Sequence, residues 1–255
     1  MLYLATPSGP DVRAAMSAGH LGCMTTPAQG NRVPYGAWYA CDNGRFGCDG
    51  KGRNWPGFTE WRAWLTRTVT RYGPDRCLWA LAPDVPFDAA GTLADSLPEL
   101  VFIRSLGVPA AFAAQDGCDV LGLPWDAFDV LFLAGSTEWK LGPVAERLAR
   151  EAKARGKRIH MGRVNSRRRL GIAGWLGADS CDGTYLAFGP NRNLPKLLGW
   201  LGEIGHAPSL CATDQHMPAP RRPAPRPRPT PAARATPHTD PIPVLPGQAP
   251  LWGTP

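Results

Sequence analysis

The chain has 255 residues, 44% of them hydrophobic, which is enough for one large core or two small ones. Its seven cysteines are odd in number and scattered, with no CxxC pair and no histidine at metal-ligand spacing, so reduced thiols are expected rather than a disulfide framework or a structural zinc. A formal charge of +7 suits an anionic partner, while the chain has no apolar run long enough for a membrane span and no basic, apolar leader in MLYLATPSGPDVR, so a cytoplasmic protein is expected, in the host cytoplasm if viral.

In chain order, short apolar runs bounded by Gly, Pro or charged residues predict strands over 2–5, 22–24, 37–41, 77–82, 110–114, 130–134, 158–161 and 178–182. Helical spacing covers 11–18, 57–72 (with Trp61, Trp64 and Leu65 on its apolar face), 88–106, 142–155 and 166–176, and a final helix covers 194–204. Strand and helix alternate, which requires parallel strands joined by right-handed crossovers. Eight such strands argue for a (β/α)8 barrel of the TIM type over an open sheet, as one domain over 1–207.

After 207 the pattern stops. Thirteen of the last 38 residues are proline, and five arginines stand there against one aspartate, so +4 of the charge belongs to this segment and +3 to the rest. Polyproline II or disorder is expected over 208–255. A basic arm for nucleic acid, a protein-binding Pro-rich strand and a bare linker all remain open.

The stretch RIHMGRVNSRRRLGIAGWLGADSCDGTYLAF, 158–188, reads as strand, Gly turn, helix and a second strand closing on Asp182. In a parallel barrel the residue after each strand lies on one rim, where catalytic groups collect. Here those residues are Asp42, Asp84, Gln115, Gly135, Gly162 and Asp182. Each also has a plain turn or cap reading, and it is their joint occurrence at successive strand ends that points to a shared mouth.

Such a set suits a reaction at a sugar carbon, in which one carboxylate attacks the anomeric centre and a second moves a proton. The remaining Asp, the Gln and Gly backbone groups suit the edge of a flat heterocycle, with Phe46 and Met161 over its faces. Arg163, Arg167, Arg168 and Arg169 beside the seventh strand fit either flanking phosphates or a solvated helix start.

Across most of 35–190 these residues resemble the tRNA-guanine transglycosylase family, barrels that exchange guanine for a 7-deazaguanine through an aspartyl-sugar intermediate. An Asp-x-Gly-x-aromatic turn is present as Asp42-Asn43-Gly44-Arg45-Phe46, which implies proton transfer or base contact for Asp42 and stacking for Phe46. The resemblance further implies base reading by Asp84 and Gln115, backbone contacts from the Ala134-Gly135-Ser136 loop, and a base pocket lined by Met161-Gly162. The family's Gly-x-Asp-x-x-Asp appears as Gly177-Ala178-Asp179-Ser180-Cys181-Asp182, making Asp182 the implied nucleophile.

The family's Cys-x-Cys-x-x-Cys plus His zinc module has no counterpart, since only Cys211 follows Cys181, and no zinc or other cofactor is expected. In its shortness the chain is more similar to the compact DNA transglycosylases of bacteriophages and bacteria. That similarity implies DNA and a free 7-deazaguanine base as partners, with no membrane partner, and leaves open a homodimer or an accessory DNA-recognition protein. A queuine-type exchange in tRNA and a catalytically inactive nucleic-acid-binding barrel are the alternatives.

Overall fold

The structure, a computed structural model, describes residues 1–49 and 55–205, the side chain of Asp49 excepted. The Pro-rich segment expected over 208–255, and the exact domain end at 207, lie outside the described residues.

Eight strands form a closed parallel barrel: β1 (Leu2–Ala5), β2 (Gly22–Thr25), β3 (Tyr39–Cys41), β4 (Cys77–Leu81), β5 (Ala110–Ala114), β6 (Val130–Leu133), β7 (Arg158–Met161) and β8 (Ser180–Asp182). β8 closes the ring on β1 with Tyr3 opposite Cys181. The protein is therefore a (β/α)8 barrel. Helices α1 (Pro10–Ser17), α3 (Phe58–Tyr72), α4 (Ala89–Ser105), α7 (Pro143–Ala154), α8 (Arg167–Trp175) and α9 (Pro190–Gly205) follow the predicted spacings to within a few residues.

Their starts have local causes. Asp88 accepts the Gly91 N–H at 3.0 Å to open α4, Ser166 accepts the Arg169 N–H at 3.3 Å to open α8, and prolines occupy the first turns of α1 and α7. Three one-turn helices were not expected: α2 (Arg45–Asp49), α5 (Cys118–Leu121) and α6 (Thr137–Lys140). Four or five residues are too few to show a period, and each is made by its loop instead; α6 starts where Ser136 caps the Trp139 N–H at 3.2 Å. No helix joins β2 to β3; that connection is a turn-rich loop over 26–38.

Alternation along the strands sorts side chains into two shells. Tyr3, Cys23, Tyr39, Phe112, Leu131, Leu133 and Met161 face the helices, while Leu4, Met24, Ala113, Val130 and Phe132 fill the barrel interior. β4 departs from strict alternation. Its pairing with β3 slips between Tyr39 opposite Cys77 and Cys41 opposite Ala80, so that Leu78 and Trp79 both join the interior. The extra interior position carries the largest side chain there, and Trp79 reaches across to β8.

Six cysteines are free and buried, and Cys211 lies outside the described residues. Among the described residues no helix is long and apolar enough to cross a membrane.

Candidate functional site

A cleft of about 680 Å³ opens at the C-terminal ends of the strands. Asp42, Asp84, Gln115 and Gly162, just past β3, β4, β5 and β7, and Asp182, the last residue of β8, line it together with Phe46 and Arg163. Parallel strands deliver these side chains to one mouth because every strand ends on the same side of the barrel.

Asp42 follows β3 and caps its own turn, accepting the Gly44 N–H at 2.6 Å; Gly44 takes φ 76°, which a residue with a Cβ adopts only under strain. Burial pushes the Asp42 carboxyl up to about 7; the Gly44 N–H opposes the shift, and the nearby charges of Asp182 and Asp84 add to it. This carboxyl changes protonation state near neutral pH.

Asp84 is clamped. Its Oδ1 accepts Asn43 Nδ2–H at 2.7 Å and its Oδ2 accepts Gln115 Nε2–H at 2.6 Å, while Gln115 Oε1 accepts the Phe87 N–H at 3.1 Å. Burial raises the Asp84 carboxyl as well, against the Asn43 bond, the Arg45 charge and the Gln115 bond. Gln115 thus spends one amide N–H on Asp84 and keeps a second by inventory.

Asp182 ends β8. Its Oδ1 lies 3.0 Å from His160 Nε2, and His160 Nδ1 lies 2.9 Å from Ser180 Oγ. His160 is completely buried, and burial pushes its pKa down, so the contact with Asp182 is a hydrogen bond from a neutral ring rather than an ion pair. Gly162 keeps the approach to Asp182 open: a Cβ there would fall 2.8 Å from the Phe132 ring and 3.4 Å from Asp182 Oδ1.

Phe46 and Phe87 are both about half exposed at the rim, with ring centroids 6.0 Å apart. The Arg163 guanidinium sits 4.8 Å from the Phe46 ring and 5.8 Å from the Phe87 ring. Arg163 (φ 60°) and Phe87 (φ 64°) are the non-glycine residues with positive φ among the described residues, so backbone strain on the order of 1–2 kcal/mol each gathers at this mouth.

Some expected roles change. Met161 does not line the cleft: the pleat turns His160 inward beside Phe132 and Ser180, so Met161 faces the helices, packed among Leu133 and Cys181 and 1% exposed. A cover for one face of a base is therefore not among its contacts. Met161→Leu should cost under about 1.5 kcal/mol and Met161→Ala about 2–5 kcal/mol in urea unfolding.

Gly135 also lies behind the cleft rather than in its lining. Its N–H goes to the Ala114 carbonyl at 3.1 Å, so it is not left to donate to a base, and its carbonyl already accepts from Arg163. Its lack of a side chain serves packing, since a Cβ would meet Asp116 and Trp139 at 2.6 Å. Arg167 pairs with Glu203 at 2.6 Å on the outer surface, whereas Arg168 is exposed.

Several residues of the site carried no signal in the sequence. His160, Ser180 and Trp79 form a polar chain inside the barrel. Lys140 is 2% exposed and donates to the Gly162 carbonyl at 2.7 Å, and burial, reinforced by Arg163, pushes its pKa down to about 7. Asp116 ties the loop after β6 by accepting both the Ser136 N–H and its hydroxyl, at 2.6 and 2.7 Å. A neighbouring cleft of about 450 Å³ is lined by Asn165, Thr184, Arg192 and Lys196, and Thr184 borders both clefts.

The fold and the mouth together define a (β/α)8 barrel with a carboxylate-lined site at the C-terminal ends of its strands. No protein-family model matches the chain, and no curated protein matches it. Among solved structures it is similar to a protein described as a glycerophosphoryl diester phosphodiesterase from Agrobacterium tumefaciens str. C58, with 12% identity, 74% of this chain and 64% of that chain covered, and a TM-score of 0.37. It is also similar to the Bacillus subtilis YkuI protein, with an EAL domain, in complex with c-di-GMP and calcium, at 13% identity, 79% and 51% coverage and a TM-score of 0.34. The chain spans less than two thirds of the length of either.

Proposed function

We propose that the protein is a pentosyltransferase that exchanges guanine in DNA for a 7-deazaguanine base through a covalent aspartyl-deoxyribose intermediate. The observation that carries this reading is the pairing, in one cleft, of Asp182, hydrogen-bonded by a neutral imidazole, with Asp42, whose proton is held to about 7. A carboxyl that keeps its proton to about 7 suits the acid, and the one held by the imidazole suits the nucleophile.

The target nucleotide leaves the stack, at a cost of a few kcal/mol. An Asp182 oxygen bonds C1′ as the C1′–N9 bond breaks, and the departing guanine keeps that electron pair and takes the Asp42 proton. N9 of the incoming base then attacks C1′, returns a proton to Asp42 and releases the Asp182 carboxylate. Two inversions restore the sugar configuration, and no electrons are gained or lost.

Asp84, with Gln115 behind it, offers acceptors to the base edge, and Phe46 a ring to its face. Arg192 and Lys196, in the neighbouring cleft that shares Thr184 with the mouth, supply positive charge for the flanking phosphates.

The test uses duplex DNA containing guanine and no incoming base. A protein-DNA adduct stable to denaturant, released when a 7-deazaguanine is added and followed by that base in the nucleosides, is expected. Free guanine with abasic sites would mark a hydrolase, and DNA binding without either product would sink the reading.

A further inference from the structure

The four groups behind the cleft can be ordered by their protons. The Trp79 indole N–H can only donate, and at 3.4 Å its acceptor is Ser180 Oγ. Ser180 Oγ–H then has His160 Nδ1, 2.9 Å away, as its partner among the described residues. An Nδ1 that accepts carries no proton, so the ring proton sits on Nε2 and is donated to Asp182 Oδ1 at 3.0 Å.

Rotation cannot undo this order. The imidazole is fully enclosed, with the Trp79 and Phe132 rings each 4.5 Å from its own. Trp79 is there because of the slipped pairing of β4 with β3. Asp182 Oδ2 has no hydrogen-bond partner among the described residues.

We infer that His160 is a positioning residue that holds Asp182 Oδ1 through a fixed Nε2–H, with its tautomer set by Ser180 and Trp79, and so makes Oδ2 the oxygen that reacts. The role of Oδ2 rests on the reading of Asp182 as nucleophile; the tautomer does not. When Oδ2 bonds C1′ and the C1′–N9 pair leaves with guanine, Oδ1 becomes the ester carbonyl and keeps its hydrogen bond. When the incoming base displaces the ester, the electron pair returns to a carboxylate already solvated by His160, which lowers the cost of its departure.

Side-chain ¹⁵N NMR of the full chain, with the His160 signal assigned by its loss in His160→Gln, should show a protonated Nε2 and an unprotonated Nδ1 at neutral pH. In exchange assays His160→Leu should lose kcat on the order of 10²-fold with KM for the base within about twofold.

His160→Gln, whose amide N–H reaches the place of Nε2–H, should recover to within about tenfold of the parent. Thermal unfolding of both variants separates this from a packing role, which would move melting temperature without dividing Leu from Gln in kcat. An Nδ1–H tautomer, or full kcat in a folded His160→Leu, overturns the inference by itself. Exchange absent from the unaltered protein instead overturns the reading of the reaction, with the tautomer still read.

Discussion

Under the exchange reaction proposed above, Asp182→Asn is expected to lose base exchange by a factor on the order of 10⁴ or more, because the side chain assigned to form the sugar ester is gone. The substitution is chosen to spare the fold. An amide oxygen still accepts the His160 Nε2–H, and the side chain is 25% exposed, so the barrel keeps its buried donor satisfied. Asp182→Ala leaves that donor without a partner and should lose exchange equally, at a further stability cost of about 1–3 kcal/mol. Nucleoside mass spectrometry of treated DNA, with the denaturant-stable adduct as second readout, checks both; normal incorporation by either variant refutes the assignment.

The second large effect belongs to Asp42. Under the same proposal, Asp42→Asn should slow exchange roughly 10²- to 10⁴-fold, since it removes the group assigned to protonate the leaving base. The carboxyl titrates at about 7, so the parent's kcat should fall as pH rises through that value, and this limb should vanish in the variant.

Stability should move the other way. Between the ordinary carboxylate range near 3.8 and about 7, the folded state holds a proton on Asp42 that the unfolded chain has released, so stability declines as pH rises through that window. Asp42→Asn removes the cost of ionising a partly buried carboxyl while its oxygen still caps Gly44. Urea unfolding at pH 8 should find the variant more stable by about 1–2 kcal/mol, with the gap closing toward pH 4. A variant less stable than the parent at pH 8 would show that Asp42 is not paying this ionisation penalty.

The two predictions oppose activity to stability at one residue, the pattern expected of a carboxyl held away from its preferred charge state.

Much of the architecture was legible before any coordinates. Runs such as Ala110–Ala114 and Arg158–Met161, set between Gly, Pro and charged turns, are buried on both faces and so need no alternation to be seen. Once the strands are parallel, Asp42, Asp84, Gln115 and Asp182 reach one mouth by topology alone, because each stands at or just past a strand end.

What stayed hidden depends on contacts that sequence distance conceals. In RIHM, either His160 or Met161 can face inward, and the choice follows from the register that closes the ring, Phe132 opposite His160 opposite Ser180. Trp79 reaches Ser180 across 101 positions, a meeting set by the slip between β3 and β4. The Gly135 N–H is committed to the Ala114 carbonyl and its carbonyl meets Arg163, contacts made across the ring that spacing does not reveal.

By itself, then, the order of residues determined which segments are strands and helices and which polar groups stand at the strand ends, since these follow from local spacing and burial. Only the closed barrel decided which way each strand's side chains turn and which protons they share, because pleat phase and hydrogen-bond direction are properties of the neighbours across the ring.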